Sequence, residues 1–231
     1  TTVGEDGGHI NGSAFQTAAY ILEVDQTKQL TGLGIDGKAD PLHTNPILQA
    51  INPMVDRTAP AAASGYANSL RYSGLDHVVL GGTAQNDILI AGEGDDTLWG
   101  GAGDDRLEGG YGVDHLHGGD GDDIITDSGT DIGAADVIHG DAGNDVINPG
   151  SGLDLVFGGD GQDFIFGGSE AKTIAGGEGN DFVRGGTGVN MILGNEGDDW
   201  LEGGEGFDTL AGENSELFFN STIIGHDILN G

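Results

Sequence analysis

The sequence predicts an all-β protein: a right-handed parallel β-roll (a solenoid), preceded by a mostly irregular N-terminal segment. Two observations predict this fold. Glycine, aspartate and aliphatic residues recur every nine residues from Gly82 onward, and 47 of the 231 residues are glycine. Such a strict period is typical of repeat architectures, whereas disordered glycine-rich segments lack one. The expected domains are the irregular segment at 1–80, interpreted as the tail of an upstream domain, and the β-roll at 81–231.

The N-terminal segment shows only faint periodicity and holds four of the five prolines. Residues 20–27 (YILEVDQT) predict a strand. Residues 44–52 (TNPILQAIN) predict a short helix, with Asn45 as its cap and Pro46 in its first turn. Residues 58–65 (TAPAAASG) predict a linker.

The repeat unit carries glycine at positions 1, 2 and 4, aspartate at position 6 and an aliphatic residue at position 8. Five units run from Gly82 to Thr126, four residues intervene, and nine more units run from Asp131 to Ala211. Position 8 is aliphatic in all fourteen units, and position 6 is aspartate in twelve. Residues 225–231 (GHDILNG) resemble the start of one more unit.

A glycine-rich turn every nine residues predicts that two units form one coil of eighteen residues. Glycine suits these turns because it adopts positive φ and allows close backbone approach. Like positions of successive coils then stack at the strand spacing of about 4.8 Å. The position-8 side chains are expected to fill a thin core between two parallel sheets.

The same stacking places the position-6 aspartates in two columns, where the bare carboxylates would repel one another. A hard divalent cation between successive carboxylates removes this repulsion, and calcium fits because it accepts about 6–8 oxygen ligands in a flexible geometry. We therefore expect the repeats to be unfolded without calcium and to bind roughly nine ions at most. The first aspartate column comprises Asp87, Asp105, Asp123, Asp145, Asp163, Asp181 and Asp199. The second comprises Asp96, Asp114, Asp136, Asp154 and Asp208, with Lys172 and Asn190 standing between the last two.

Lys172 replaces an aspartate in the second column, and two interpretations are open. Its ammonium occupies a calcium position and neutralises Asp154, or this turn has degenerated and Lys172 points into solvent.

Three of the units, GGAGDDRLE, GGDGQDFIF and GGEGNDFVR, resemble the RTX nonapeptide, which forms a calcium-binding β-roll. The resemblance covers Gly82 to Ala211. It implies that turns on one side of the roll share calcium through the position-6 aspartates. It also implies export by a type I secretion system, folding outside the cell, and a secreted or extracellular location that includes the cell surface.

Residues 64–112 and 19–34 are similar to the corresponding segments of large secreted bacterial proteins that join animal-type haem-peroxidase domains to RTX repeats. This resemblance implies that the chain is the calcium-folded tail of such an enzyme, with haem only in the parent protein. No catalytic residue is assigned. The alternatives are a segment of an RTX adhesin or the tail of another type I secreted enzyme, such as a protease, a lipase or an alginate epimerase.

The amino-acid composition excludes several classes of partner and of binding site. The chain has 39 acidic and 7 basic residues, a formal net charge of −32 and no cysteine. We expect no binding to nucleic acid, because polyanions repel one another. The absence of cysteine excludes disulfides and zinc–thiolate sites. No apolar run approaches the roughly 18 residues of a membrane span.

Two sets of side chains at outward-facing positions of the repeat are further candidates for a functional role. The position-7 residues Phe164, Phe182 and Trp200 form a row that predicts a docking face for an upstream domain or a protein partner; the alternative is a self-stacking ladder that shields the sheet. His115, His117 and His139 also point outward. We interpret them as part of a solvated face rather than as a transition-metal site.

Overall fold

The structure, a computed structural model, describes residues 54–75, 77–127, 134–212 and 228–230 in full. It also gives the backbone of four short strands nearer the N-terminus: β1 (Thr2–Val3), β2 (Ile10–Asn11), β3 (Tyr20–Val24) and β4 (Leu30–Leu33). Strand β3 lies within the strand predicted at 20–27. The helix predicted at 44–52 lies outside the described residues.

The described chain forms two ten-stranded sheets. Sheet I contains β5 (Val55–Asp56), β6 (Asn68–Tyr72), β8 (Asp87–Ile90), β10 (Arg106–Glu108), β12 (Ile124–Thr126), β14 (Val146–Asn148), β16 (Phe164–Phe166), β18 (Phe182–Arg184), β20 (Trp200–Glu202) and β22 (Ile228–Asn230). Sheet II contains β4, β3, β7 (Val78–Gly81), β9 (Thr97–Ala102), β11 (His115–Asp120), β13 (Val137–Ala142), β15 (Leu155–Asp160), β17 (Thr173–Glu178), β19 (Met191–Glu196) and β21 (Thr209–Ala211).

The chain alternates between the two sheets, so each coil contributes one strand to each. Pairing is parallel from β6 to β22 in sheet I and from β7 to β21 in sheet II. Leu89 lies opposite Leu107, eighteen residues on, as the repeat predicts. The coil that holds the four extra residues is longer, yet Leu116 still lies opposite Ile138. The extra residues are therefore accommodated without a change of register, and the predicted parallel β-solenoid is confirmed.

The hydrophobic core of the repeats consists of one inward-facing side chain from each unit. Thirteen of the fourteen position-8 side chains have 0% exposure, and Leu210 of the last unit is partly buried. Those thirteen are Leu89, Leu98, Leu107, Leu116, Ile125, Ile138, Ile147, Val156, Ile165, Ile174, Val183, Ile192 and Leu201. One aliphatic side chain per unit is enough to form a continuous hydrophobic core, because each side chain stacks on its equivalents in the coils above and below.

The solenoid extends beyond the repeat at both ends. Strands β6 and β7 form a coil before Gly82, and Leu70 and Leu80 lie fully buried in the same core. At the other end, β22 pairs with β20, in agreement with the extra unit predicted at 225–231. Residues 58–65 belong to no strand and are mostly exposed, as a linker would be. The domain boundary at residue 80 stays a prediction. The described residues include no helix with the length and apolar character needed to cross a membrane.

Candidate metal centre

Each candidate ligand lies at the end of a glycine-rich turn, directly before a strand. Asp163 precedes β16, and the turn before it contains Gly159 and Gly161, with φ of 123° and 131°. A side chain at Gly161 would meet the carbonyl of Gly143 in the preceding coil. The glycines are therefore needed both for positive φ and because the turns of successive coils approach backbone to backbone.

Direct hydrogen bonds link the aspartates of each column. The backbone N–H of Asp105 donates to Oδ1 of Asp123 at 2.6 Å, and that of Asp145 donates to Oδ1 of Asp163 at 2.8 Å. The same bond recurs from Asp87 to Asp199 in the first column and from Asp96 to Asp154 in the second. All eleven of these aspartates are at most 3% exposed, whereas Asp208 is half-buried. The structure thus brings the sequence-predicted residues together in two columns.

The second carboxylate oxygen of many of these aspartates has no protein partner. Oδ2 is buried and accepts no hydrogen bond in Asp105, Asp123, Asp145, Asp163 and Asp181. In Asp163 this atom lies over the first glycine of its own unit, Gly158, where a Cβ would overlap it. Buried acceptors are rarely left without a partner, because the loss of hydration is not repaid. This row of oxygens is therefore suited to a cation.

Burial makes the ionised form of these carboxylates costly. Burial, together with the charge of neighbouring aspartates, raises the pKa of Asp105 to about 8 and those of Asp123, Asp145 and Asp181 to about 7. In the second column, burial likewise raises the pKa of Asp136 to about 7. Without positive charge in the columns, many of these groups would hold protons near neutral pH.

Lys172 supplies one such positive charge from the chain itself. Its Nζ lies 2.9 Å from Oδ2 of Asp154, and both side chains have 0% exposure. The ammonium also donates to the backbone carbonyls of Gly152, at 2.6 Å, and of Ser169. The interpretation in which Lys172 points into solvent is therefore wrong. A cation surrounded by one carboxylate and two turn carbonyls occupies this interval.

Asn190 is the second residue of the second column that replaces an aspartate, and its side-chain amide is a neutral hydrogen-bond donor. Its Nδ2 donates to Oδ1 of Asp208 at 3.0 Å and to the carbonyl of Gly203 at 3.3 Å. Its own Oδ1 accepts the backbone N–H of Lys172 at 3.0 Å. The amide therefore preserves the hydrogen-bonded ladder without adding a negative charge.

The first column is closed at its N-terminal end by residues that sequence analysis missed. Oδ2 of Asp87 accepts the backbone N–H of Thr83 at 2.5 Å and its hydroxyl at 2.8 Å. Oδ1 accepts Nδ2 of Asn68 at 2.5 Å. Asp87 is thus satisfied by the protein's own donors. A visible signal was Thr83, which stands where most units have their second glycine.

A second ladder, also missed, runs along the surface beside the first column. The backbone N–H of Asp104 donates to Oδ1 of Asn86 at 3.0 Å, and that of Asp122 donates to Oδ1 of Asp104 at 3.1 Å. Asn144 and Gln162 continue it. The signal was Asp, Asn or Gln at position 5 of every unit in this column. In the second column the same position includes the exposed apolar residues Val113, Leu153, Val189 and Phe207.

Aromatic rings stack on the outer faces of both sheets. On sheet I, the ring centroids of Phe164 and Phe182 are 6.0 Å apart, and those of Phe182 and Trp200 are 6.4 Å apart. On sheet II, the rings of Trp99, His117, His139 and Phe157 form a continuous stack. The outward orientation expected from the sequence is therefore present, and neighbouring rings shield one another.

Comparison with known families agrees with this geometry. The model of the RTX calcium-binding nonapeptide repeat (4 copies) matches overlapping segments at 81–110, 99–126, 108–131, 133–156, 150–171, 157–192, 175–210 and 193–215. Together these segments cover more than half of the 231 residues. Comparison with curated proteins found no match. The match spans the coils whose buried aspartates form the two columns, and the chain therefore belongs to the family of RTX calcium-binding nonapeptide repeats.

Proposed function

We propose that the two aspartate columns are calcium sites and that the chain is a module that folds when calcium binds. The observation that carries this proposal is the position of Lys172. Its ammonium lies between Asp154 and two turn carbonyls, in an environment made only of oxygen. The proposed ligands are the eleven aspartates that face another aspartate in their column: Asp87, Asp96, Asp105, Asp114, Asp123, Asp136, Asp145, Asp154, Asp163, Asp181 and Asp199. Asp208 faces Asn190 instead.

The available atoms favour calcium over other ions. The orphaned atoms are carboxylate oxygens, and the glycine-rich turns add backbone carbonyls. Oxygen is the ligand that hard cations prefer, whereas softer metals prefer nitrogen or sulfur. Magnesium binds reluctantly in such a setting because it demands a tight octahedron and retains its waters.

The intervals between aspartates are not equivalent. Four intervals of the first column, between Asp105 and Asp181, have an orphaned Oδ2 at both ends. We propose that these fill most tightly, within a total of roughly nine ions. Calcium next to Asp87 must displace the hydroxyl and amide of Thr83, so the first interval is weaker. The interval between Asp154 and Lys172 holds no calcium because the ammonium already occupies it.

Calcium binding supplies the stability that the repeats lack. The formal net charge of −32 and the buried carboxylates oppose folding of the metal-free chain. Each site filled at 100 times its dissociation constant stabilises the folded state by about 2.7 kcal/mol. Extracellular calcium sites bind at about 10⁻⁴–10⁻³ M. The chain would therefore stay unfolded in a cytosol poor in calcium and fold after secretion, so that metal binding and folding are one event.

Circular dichroism of the 231-residue chain at pH 8 tests this proposal. We expect little β signal in EGTA and a cooperative gain of β structure as calcium is added, whereas magnesium at the same concentration gives much less. Calorimetric titration then counts the ions. A complete β signal in EGTA, unchanged by calcium, would contradict coupled folding.

We further propose that this module is attached to a secreted bacterial enzyme of the haem-peroxidase type. The support is the resemblance of residues 64–112 and 19–34 to the segments that follow such domains. A haem Soret band in the full-length protein tests the assignment. Tandem β-sandwich repeats upstream would instead identify an adhesin, and a hydrolase or epimerase domain would identify another type I secreted enzyme.

Phe164, Phe182 and Trp200 remain our candidate docking face, with the upstream domain as the occupant. Phe164 is 50% exposed and Trp200 is 41% exposed on a protein whose surface is otherwise strongly acidic. Exposed apolar patches of this kind mark interaction sites. In the full-length protein, we expect the double substitution Phe164→Ser and Trp200→Ser to increase proteolysis between the two domains. Unchanged proteolysis would favour the self-stacking ladder.

A further inference from the structure

Three candidate metal ligands of a different chemical type converge on the outer face of sheet II. His117 lies on β11, and His139 and Asp141 lie on β13, the next strand. The register places His117 directly opposite His139 and places Gly119 opposite Asp141. Because Gly119 has no side chain, the Asp141 carboxylate has room to reach across to His117. The candidate ligand atoms of the three residues all lie within 4.8 Å of one another.

One of these pairs, which forms a hydrogen bond in the structure, also has the spacing of two ligands on one ion. Nδ1 of His117 lies 3.3 Å from Oδ2 of Asp141. A tetrahedral ion with metal–ligand bonds of about 2.0–2.1 Å holds neighbouring ligand atoms roughly 3.3 Å apart. Asp141 takes a φ of 74° at a position where most units carry glycine. Aspartate is one of the few residues other than glycine that tolerate this conformation.

His139 must turn to complete the site. Its ring lies parallel to that of His117, with 2° between the planes and 4.6 Å between the centroids. One ion cannot lie in both ring planes in this arrangement. Rotation about the side-chain torsions of His139, the outer of which has a broad minimum, brings a ring nitrogen toward the other two ligands. His117 is held from its other side by Trp99, whose ring lies 3.9 Å away.

We infer that His117, His139 and Asp141 bind a divalent cation of the zinc class, at a site separate from the aspartate columns. This inference replaces the solvated face that the sequence favoured for these histidines. Two imidazoles and one carboxylate suit zinc, copper or nickel, whereas calcium prefers a shell made only of oxygen. The Asp141 side chain is 41% exposed, so solvent can supply a fourth ligand.

The site spans the coil that contains the four extra residues. His117 and His139 are paired across a sequence separation of 22 residues, whereas Trp99 and His117, the equivalent pair one coil earlier, are 18 residues apart. An ion held by both strands therefore clamps this enlarged coil.

Zinc titration of the 231-residue chain in saturating calcium tests the inference. In a Trp200→Phe background, Trp99 is the remaining tryptophan and reports on the ring stack. We expect one zinc ion to bind and to change the Trp99 emission. X-ray absorption at the zinc edge should show two imidazoles in the first shell. His117→Ala and His139→Ala should each weaken binding at least tenfold.

His115→Ala is the matched control, because His115 is exposed on the same strand but lies outside the cluster. It should bind zinc like the parent chain. Asp141→Asn keeps a residue that tolerates positive φ and should weaken zinc binding without altering the β signal, so it decides the matter if a histidine variant fails to fold. Equal zinc affinity in the parent chain and in Asp141→Asn, or an absorption spectrum without imidazole, would overturn the inference.

Discussion

The ammonium of Lys172 lies 2.9 Å from Oδ2 of Asp154, and neither side chain is exposed to solvent. The chain thus provides, through a covalently attached cation, the charge that we assign to calcium in other intervals. Asn190 follows Lys172 in the same column. From Lys172 onward, the second column is therefore hydrogen-bonded through donors of the chain itself, whereas its earlier part consists of carboxylates. The two columns therefore have different requirements for metal.

Lys172→Met should strongly destabilise the calcium-loaded protein, because it leaves the buried Asp154 carboxylate without its partner. Breaking a buried ion pair costs about 3–5 kcal/mol. The measurement is urea unfolding in saturating calcium. The matched control is Arg184→Met, which removes the same charge from a side chain that is 60% exposed and should change stability by less than about 0.5 kcal/mol. Equal stability of the two variants would show that the Lys172 contact is energetically unimportant.

Asn190→Asp should create an additional calcium site. The change places carboxylates at both ends of the interval between positions 190 and 208, as in the first column. Calorimetry should count one more ion than in the parent chain. Asn180→Asp makes the same charge change at an exposed position and should leave the count unchanged. A count that does not rise in Asn190→Asp would argue that facing carboxylates are insufficient for a site.

Gly158→Ala should weaken calcium binding next to Asp163. A Cβ at this position overlaps Oδ2 of Asp163, so the carboxylate must move away from its column. We expect a loss of at least one ion, together with about 1–3 kcal/mol of the strain typical of overpacking. Gly65→Ala is the control, because its Cβ would meet no atom within 4 Å. Its cost should come from positive φ alone, with the full calcium count retained.

The metal-free chain should be more folded in mild acid than in mild base. In the folded state, burial raises the pKa of Asp105 to about 8 and those of Asp123 and Asp145 to about 7, whereas an aspartate in the unfolded chain has a pKa of about 3.9. Between these values the folded state binds more protons than the unfolded state. The contribution of these protonated carboxyl groups to the stability of the folded state is therefore complete below pH ~4 and is lost as the pH rises through about 7–8.

Circular dichroism in calcium-free buffer at pH 5 and pH 8 checks this prediction. The β signal should be larger at pH 5. Added calcium should abolish the difference, and the calcium concentration needed for folding should rise on acidification because protons compete for the same oxygens. A metal-free chain with the same β content at both pH values would contradict the pKa shifts.

Local periodicity made most of the roll predictable. A side chain at position 8, such as Leu107, is inward because of its place in a nine-residue unit, and the same holds for the column positions of Asp105 and Asp123. Strands β6 and β7 were not predicted, because the units that contain them lack the glycines at positions 1 and 4 and the aspartate at position 6. There the register depends on pairing with the next coil, which no local pattern reveals.

The sequence by itself determined the winding of the repeats, the single-file core and the two aspartate columns, because each follows from short-range spacing. Only the tertiary structure decided that Lys172 lies buried against Asp154 rather than in solvent. It also decided that Asn68 and Thr83 satisfy Asp87, and that Asp141 approaches His117. Each of these contacts depends on the direction in which a side chain points, or on a partner residue in another coil. The spacing of residues along the chain specifies neither the direction nor the partner.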